Sequence, residues 1–386
     1  TTPSVSAIGS YRWDTNVGEF GILGSIVYTE TASRADRLQI SNFAQRTLYD
    51  NGDVVNEDGS ANPVKDVWFP RGATMGSQEF DRERTGISAA FQWRSSDERL
   101  EATAEFLRSD SSEAWTERVV EIATDNVAGN GDSRAVPGTG FEFSNNDIFD
   151  NGYITGPSGW RDDQWSGDPR TPVNGLQSNN IRRDQQNDFL TDDLSLNVKW
   201  FATDEWAFIF DYQHVESEVD VLSNTIWTSS FQNALINLNG DNLPDLLFTP
   251  PELCSGAPSN ECPTYIAPGH ERFDDPYNSF YRSAMDHIEQ SDGNMDAFQI
   301  DASKVFPEID WLGSLQFGYR YADRDQTARF STYNWGSLSE IWGNGGPIWL
   351  DEEVNGTVPD GYAPYYFKDF MNGTVADPLG GEGDLV

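Results

Sequence analysis

Three tryptophans lie near one another late in the chain, at Trp335, Trp342 and Trp349. Amide and carboxylate side chains accompany them, namely Asn334, Asn344 and Asp351. An indole ring stacks well on the apolar face of a sugar, while neighbouring polar groups bond to the sugar hydroxyls. These residues therefore predict a carbohydrate-binding surface. The alternative interpretation, which the sequence leaves open, is that the tryptophans form small cores where long loops pack on one another.

The segment NLNGDNLPDLL offers oxygen ligands at a spacing that resembles a calcium-binding loop. The candidate ligands are Asn237, Asn239, Asp241 and Asp245. The segment lacks the bidentate glutamate that ends such a loop, so an ordinary turn of asparagine, glycine and aspartate is the alternative. No cofactor is predicted, because the three histidines of the chain form no four-ligand metal spacing.

Cys254 and Cys262 are the two cysteines, and they lie in the turn-rich segment PPELCSGAPSNECP. A short disulfide loop fits such a segment, and it would indicate an oxidising compartment. Two unpaired thiols in a reducing compartment are the alternative.

No catalytic constellation is recognisable in the sequence. With 63 Asp and Glu residues, pairs at glycosidase spacing occur by chance and nominate no acid and base. Serine and histidine occur without a nucleophile-elbow pattern, and the glycine-rich stretches do not lie between a strand and a helix. We therefore expect a protein that is not an enzyme.

The composition of the chain indicates a folded protein and excludes some classes of partner and membrane segment. The 386 residues are 37% hydrophobic and 13% aromatic, which is enough for a folded core. A formal net charge of -38 argues against nucleic-acid partners, because phosphates would be repelled. No run of about 18 apolar residues is present, which excludes a membrane-spanning helix and leaves membrane strands possible.

Period-two alternation of apolar and polar residues recurs in eight places that come in pairs. Each pair predicts an antiparallel hairpin with a short turn, near 3–34, 84–108, 193–216 and 295–324. The intervening segments are long and rich in turn formers, near 37–81, 110–191, 219–294 and 326–386. Short and long connections thus alternate strictly, as in outer-membrane barrels with short periplasmic turns and long outer loops.

Five tryptophans lie at the strand ends beside the short turns: Trp13, Trp93, Trp200, Trp206 and Trp311. Indoles favour the boundary between hydrocarbon and headgroups, so these residues predict a membrane girdle on one side. One face of each predicted strand is apolar, as expected if it faces lipid. A sheet of a soluble protein with one wet face and five core tryptophans would show the same alternation, but it would not explain the asymmetry of the connections.

Several segments carry a family resemblance, among them DRERTGISAAFQWRSSDERLEATAEFLRS, DDLSLNVKWFATDEWAFIFDYQHVESEVD and YNWGSLSEIWGNGGPIWLDE. They resemble barrel strands and an outer loop of TonB-dependent outer-membrane receptors, in the group associated with carbohydrate uptake in proteobacteria. The resemblance implies a 22-stranded transmembrane β-barrel with long extracellular loops, a plug domain and the TonB complex as partner. It also implies the outer membrane of a Gram-negative bacterium, contact with its lipid, and a glycan ligand.

The chain departs from that family pattern in having about eight strands, no plug and no TonB box. We therefore expect an internal piece of the barrel of a transporter that imports a scarce nutrient. The alternative from another class is a secreted acidic β-protein that binds polysaccharide or calcium, with hydrolase activity as a further option. A complete eight-stranded barrel is the third interpretation, but the last segment shows no strand that would close it.

Overall fold

The structure of the chain is a computed structural model. It describes all residues except 1, 55–60, 125–132, 137, 157–158, 161–171, 174, 240–242, 251–268, 270–271, 334, 340–347 and 353–361. The described chain is almost entirely β-structure, which confirms the all-β prediction. Its only helices are two short 3₁₀ turns, Pro276–Asn278 and Phe370–Gly373, and no described helix is long and apolar enough to cross a membrane.

Eight long strands form one antiparallel sheet in which neighbours in sequence are neighbours in space. They are β1 (Ser4–Thr15), β2 (Gly18–Ile40), β3 (Ala73–Ser95), β4 (Leu100–Ile122), β5 (Leu176–Phe201), β6 (Trp206–Asn237), β7 (Ser279–Val305) and β8 (Ser314–Phe330). In this meander, β1 pairs with β2, β3 with β4, β5 with β6 and β7 with β8 across the short turns.

The strands are longer than the alternation of the sequence predicts. Strand β5, for example, begins at Leu176, although 110–191 was predicted to be a connection. The same correction applies to the predicted connections 37–81, 219–294 and 326–386, into which the flanking strands extend. The physical reason lies in the halves of the strands farther from the short turns, which we call the outer halves. These halves are polar on both faces, as in NNIRRDQQND, so they show no period of two.

The short turns have local chemical causes. Thr203 accepts hydrogen bonds at Oγ1 from the backbone N–H groups of Glu205 and Trp206, at 3.2 and 3.1 Å. In the turn between β3 and β4, the Asp97 carboxylate accepts from Ser95 Oγ at 2.6 Å. Side chains that bond to the backbone or to each other in this way replace ladder bonds where a strand must reverse.

Shorter strands lie within the long connections, at the end of the sheet opposite the short turns. They are Phe43–Tyr49, Pro63–Pro70, Arg134–Ala135, Phe141–Phe143, Phe149–Thr155, Gly159–Trp160, Pro172–Val173, Asp245–Thr249, Gly336–Ser337, Ile348–Trp349, Pro364–Tyr365 and Asp384–Leu385. They bury a hydrophobic core that includes Phe69, Met75, Phe149, Phe248 and Phe367. The main apolar core therefore lies among the connections rather than along the middle of the sheet.

The sheet is open. Strands β1 and β8 stand at its two ends, and no pairing joins them in the described part of the chain. A closed barrel is therefore not observed, and what the structure shows of the predicted fold is an antiparallel sheet with long connections at one end.

Candidate functional site

The two faces of the sheet differ sharply in chemistry. Because side chains alternate along a strand, residues in register across the sheet share a face. One row crosses all eight strands with apolar or aromatic residues alone: Tyr11, Ile22, Phe91, Ala104, Leu196, Tyr212, Phe298 and Tyr321. The next row on the same face is equally apolar: Trp13, Phe20, Trp93, Ala102, Val198, Phe210, Ile300 and Tyr319. We call this side the apolar face.

The row between these two points to the opposite side, and it contains no large apolar residue. It consists of Arg12, Gly21, Gln92, Thr103, Asn197, Asp211, Gln299 and Arg320. We call this side the polar wall. In the outer half of β6 its residues Ser223 and Thr225 are buried, whereas Leu222 and Asn224 on the other face are exposed. The polar wall is thus the more enclosed side, and it is the side on which a ligand can be surrounded.

A hollow of about 510 Å³ opens near the short turns, bounded by the first five strands. Arg12, Gln92, Glu105, Asp193 and Ser195, all polar-wall residues, line it. A single sheet can bound such a volume only if it curves toward this side. Apolar residues, among them Leu23, Ala90 and Leu107, line the hollow as well, so its lining is of mixed polarity.

Farther from the short turns, the polar wall becomes aromatic. One register row there places Phe80, Trp115, Gln185, Ser223 and His287 side by side. The His287 ring stacks on Tyr333, with ring centroids 4.0 Å apart, and its Nδ1 lies 2.9 Å from the carbonyl oxygen of Ser331. These contacts hold the imidazole in place at the edge of the wall.

Glu117 and Arg183 belong to the next row, and Arg37 belongs to the row beyond it. Glu117 lies 3.2 Å from Arg37 Nη1 and 3.9 Å from Arg183 Nη1. Arg183 Nε also donates to Thr225 Oγ1 at 3.1 Å. Gly76 lies opposite Arg37, and a Cβ there would come within 3.0 Å of Arg37 Nε. The absence of a side chain at Gly76 thus lets the guanidinium reach across the sheet to Glu117.

Trp227 follows, two residues beyond Thr225 on the same face. Its ring stacks on Trp335 with centroids 4.3 Å apart and planes at 25°. Ser283 lies directly opposite Trp227 on β7 and is 6% exposed. Among the described residues, Trp227 Nε1 and Ser283 Oγ have no hydrogen-bond partner although both atoms are buried. A buried polar group that stays without a partner costs about 1–3 kcal/mol.

The structure divides the predicted carbohydrate-binding residues. Trp335 is 39% exposed and joins the polar wall through Trp227. Trp349, by contrast, is fully buried and packs edge-on against Phe280 at 5.2 Å, which corrects its prediction as a ligand-binding residue. Its indole belongs to a small core with Phe231 of β6 and Phe280 of β7. Asp351 is exposed in the turn after it, while Asn334, Trp342 and Asn344 lie outside the described residues.

The predicted girdle tryptophans gather beside the short turns. Trp13, Trp93, Trp200 and Trp206 all belong to the apolar face, and Trp311 lies in the turn between β7 and β8 with 83% of its surface exposed. Trp13 and Trp93 both contact Phe20, and Trp206 and Trp200 both stack on Phe208. The indole N–H of Trp93 donates to the Val17 carbonyl at 3.3 Å, which orients the ring toward the turn.

The predicted calcium ligands do not converge where they are described. Asn237 Nδ2 donates to Asp245 Oδ2 at 3.2 Å, and Asn237 Oδ1 accepts from the Asn239 N–H at 3.0 Å. Residues 240–242, which include Asp241, lie outside the described residues. Across the described chain, no three His, Cys, Asp or Glu side chains gather as a metal site. Cys254 and Cys262 also lie outside the described residues.

No family model, curated protein or solved structure matches this chain. The functional argument therefore depends on the geometry of the two faces. The aromatic and arginine rows of the polar wall were missed in the sequence, because Trp115, Arg183 and Trp227 fall in segments predicted to be connections. The sequence pattern that would have revealed them is the period of two. Trp115 and Glu117 are two residues apart, as are Thr225 and Trp227, so each pair lies on one face of a strand.

Proposed function

We propose that the chain forms part of the wall of a TonB-dependent outer-membrane transporter. In this proposal the apolar face meets lipid and the polar wall faces the lumen. The outer rows of the polar wall help to capture a nutrient, a glycan, before import. The observation that carries the proposal is the apolar face itself, which continues across all eight strands while the opposite face stays polar at the same level.

The height of the apolar face supports a bilayer as its partner. On β1 its apolar side chains run from Val5 to Trp13, a distance of about 26 Å at ~3.3 Å per residue. The hydrocarbon-facing band of outer-membrane barrels is about 25 Å tall. Large apolar and aromatic side chains on this face are exposed, among them Ile22, Phe91, Phe317 and Tyr319. Exposed apolar surface of this extent indicates a partner.

The slope of the apolar face supports tilted strands. Trp13 is the last apolar residue of β1 before its turn, and it shares a row with Tyr319, which has Phe317 and Leu315 between it and the turn of β8. The band therefore shifts by about four residues, ~13 Å, over seven strand spacings of ~4.8 Å. That is an inclination of roughly 20°, about half of the 35–45° by which barrel strands tilt against the membrane normal.

The edges of the sheet support additional strands on both sides. Strands β1 and β8 present their outer backbone groups without a ladder in the described chain. Hydrocarbon does not tolerate unpaired backbone groups, so a membrane sheet must close. We infer that further strands complete the barrel in the intact transporter, and a total of 22 is the number that the family resemblance implies.

Site-directed spin labelling tests the orientation of the two faces. Cys254 and Cys262 are first replaced by serine, and single cysteines are introduced at Phe208 and Leu315 on the apolar face. The neighbouring positions Ile209 and Gln316 on the polar wall serve as matched controls. In the membrane-inserted protein, lipid-soluble oxygen should relax labels at Phe208 and Leu315 far more than a water-soluble nickel chelate does, with the reverse order at the controls.

Equal access of the nickel chelate to labels on both faces would contradict the proposal. That result would favour the secreted β-protein interpretation instead.

A further inference from the structure

Two exposed aromatic side chains, Tyr333 and Trp335, follow the end of β8, and we call them the aromatic pair. Tyr333 is 65% exposed, although its ring stacks on His287 with centroids 4.0 Å apart. Trp335 is 39% exposed, although its indole stacks on Trp227 with centroids 4.3 Å apart. Each ring of the pair is thus held from behind by a ring of the polar wall, and its other side is open.

The backbone on both sides of the aromatic pair is fixed to β7. Before the pair, the Ile288 carbonyl accepts from the Ser331 N–H, and the Ile288 N–H donates to Ser331 Oγ, both at 2.9 Å. After the pair, the short strand Gly336–Ser337 is in register with Ser283 and Ala284. Rings that are fixed before a ligand arrives lose little conformational freedom on binding, which favours affinity.

The wall residues behind the aromatic pair are well separated. Trp227 is in register with Ser283, and His287 lies four residues farther along β7, about 13 Å at ~3.3 Å per residue. The rings of the pair stack on these two residues, so they are too far apart for a single sugar to cover both. A ligand that uses both rings must be a chain of several units.

The chemistry of the segment suits a sugar chain. An exposed aromatic ring stacks on the apolar side of a pyranose, whose hydroxyls need hydrogen-bonding groups nearby. Hydroxyl groups are available on the same exposed segment, at Ser331, Thr332 and Tyr333. Each can act as a donor and as an acceptor, as a sugar hydroxyl can. The segment also runs along β7, so a ligand that contacts both rings must be extended.

We infer that the aromatic pair binds an extended chain of β-linked pyranose sugars, with one sugar on Tyr333 and another on Trp335. Equatorial β-linkages between glucose units give a straight, flat chain that presents C–H groups on both sides of each ring. The corresponding α-linkages give a chain that coils, and a coiled chain does not follow a straight strand. This inference rests on the proposed function and names the substrate class of that function.

Binding of matched oligosaccharides to the purified chain tests the inference by calorimetry, in a detergent without a sugar headgroup. The probes are cellotetraose, which is straight, cellobiose, which is too short to reach both rings, and maltotetraose, which has the same four glucose units but coils. We expect cellotetraose to bind about tenfold more tightly than cellobiose, because a second ring is stacked. Maltotetraose should bind no more tightly than cellobiose.

Substitutions of exposed side chains on this segment provide the matched variants. Tyr333→Ala and Trp335→Ala each remove one ring, and either should lower the affinity for cellotetraose about tenfold while changing that for cellobiose far less. Tyr333→Phe keeps the ring and should retain most of the affinity. Leu338→Ala is the control, because Leu338 is exposed on the same segment but has no ring to stack on a sugar. Its affinity for cellotetraose should be nearly that of the wild type.

Several results would overturn the inference, and they differ in what they leave standing. Equal affinity for cellotetraose and cellobiose, or for cellotetraose and maltotetraose, would reject the extended chain and leave glycan capture in place. A loss in Leu338→Ala as large as that in Tyr333→Ala would reject the role of the rings. Absence of binding by all three sugars would overturn the inference and count against the glycan ligand as well, while the spin labels decide the orientation of the two faces independently.

Discussion

At the scale of single residues, the position of a tryptophan in the structure decides whether its indole packs in a core or remains exposed. Trp349 is fully buried against Phe231 and Phe280, Trp311 is almost fully exposed in a short turn, and Trp227 stacks on Trp335 across the polar wall. The ring is the same in all three, and the difference lies in what surrounds it. Burial makes Trp349 a packing residue, while exposure and an unpartnered N–H make Trp335 and Trp227 candidates for ligand binding.

Asp384 is a second residue whose environment changes its chemistry. It lies in the short strand Asp384–Leu385, is 3% exposed, and has one carboxylate oxygen without a hydrogen-bond partner in the described chain. Burial raises the pKa of Asp384 to about 8, and the positive charge of Arg118 offsets only part of this effect. The Thr228 hydroxyl donates to the Leu385 carbonyl at 2.7 Å, which ties this strand to the main sheet.

The raised pKa of Asp384 predicts how stability depends on pH. The folded protein holds this proton more tightly than the unfolded chain, whose value is near the ordinary 3.8. The stability linked to it is therefore complete below about pH 4 and is lost as pH rises toward about 8. Asp384→Asn should remove this part of the pH dependence, as measured by urea unfolding at pH 5 and pH 8 in detergent.

Asp377→Asn is a control for that measurement, because burial also raises the pKa of Asp377 but the side chain is far less enclosed. Its effect on the difference between pH 5 and pH 8 should be smaller. A wild-type protein that is equally stable at both pH values, with Asp384→Asn unchanged, would contradict the assignment.

At the scale of elements, the hairpins depend on tight turns at one end of the sheet. Gly18 begins β2 with φ at +132°, a conformation that residues with a side chain rarely adopt. A Cβ at this position would lie 2.1 Å from the Arg94 carbonyl oxygen and 2.9 Å from the Trp93 indole nitrogen. The glycine thus lets the first turn fit against the end of β3.

Gly18→Ala should therefore destabilise the first hairpin and its contact with β3. We expect a loss of about 1–3 kcal/mol or more, from backbone strain and the clash with Arg94. Gly9→Ala is the matched control, since a Cβ at Gly9 meets no atom within 4 Å, and its effect should stay within about 0.5 kcal/mol. Urea unfolding with hydrogen exchange of the β1 and β2 amides measures both, and similar losses in the two variants would refute the role of the turn.

At the scale of the whole molecule, the two faces of the sheet differ in how well they should accommodate a charged side chain. Phe91 lies in the row of the apolar face that crosses all eight strands, and Gln92 is its neighbour on the polar wall. The proposed arrangement, with membrane lipid on one side and water on the other, accounts for both rows. A sheet with water on both sides would give no reason for the apolar row.

Under the proposed function, Phe91→Arg should impair assembly in the outer membrane, because an arginine facing the bilayer midplane costs about 2–4 kcal/mol. Gln92→Arg introduces the same side chain one residue away and should assemble normally. Heat-modifiable gel mobility of the intact protein in membrane fractions measures the folded share of each variant. Equal assembly of the two variants would show that the faces do not differ in their surroundings.

The sequence by itself determined the antiparallel hairpins, the strict alternation of short and long connections, and the apolar side of each strand. These depend on neighbours a few residues apart, and so they are visible as local patterns. The lengths of the strands were not visible, because their outer halves are polar on both faces and lack a period of two.

Only the tertiary structure decided the candidate site and the burial of individual tryptophans. Trp227 meets Trp335, and His287 meets Tyr333, because the register of several strands and the path of a long connection bring them together. The sequence does not show whether Trp349 packs in a core or Trp335 remains exposed, since that depends on which connections cover them. Local alternation specifies which face a side chain takes, whereas contacts between distant segments depend on the whole sheet being formed.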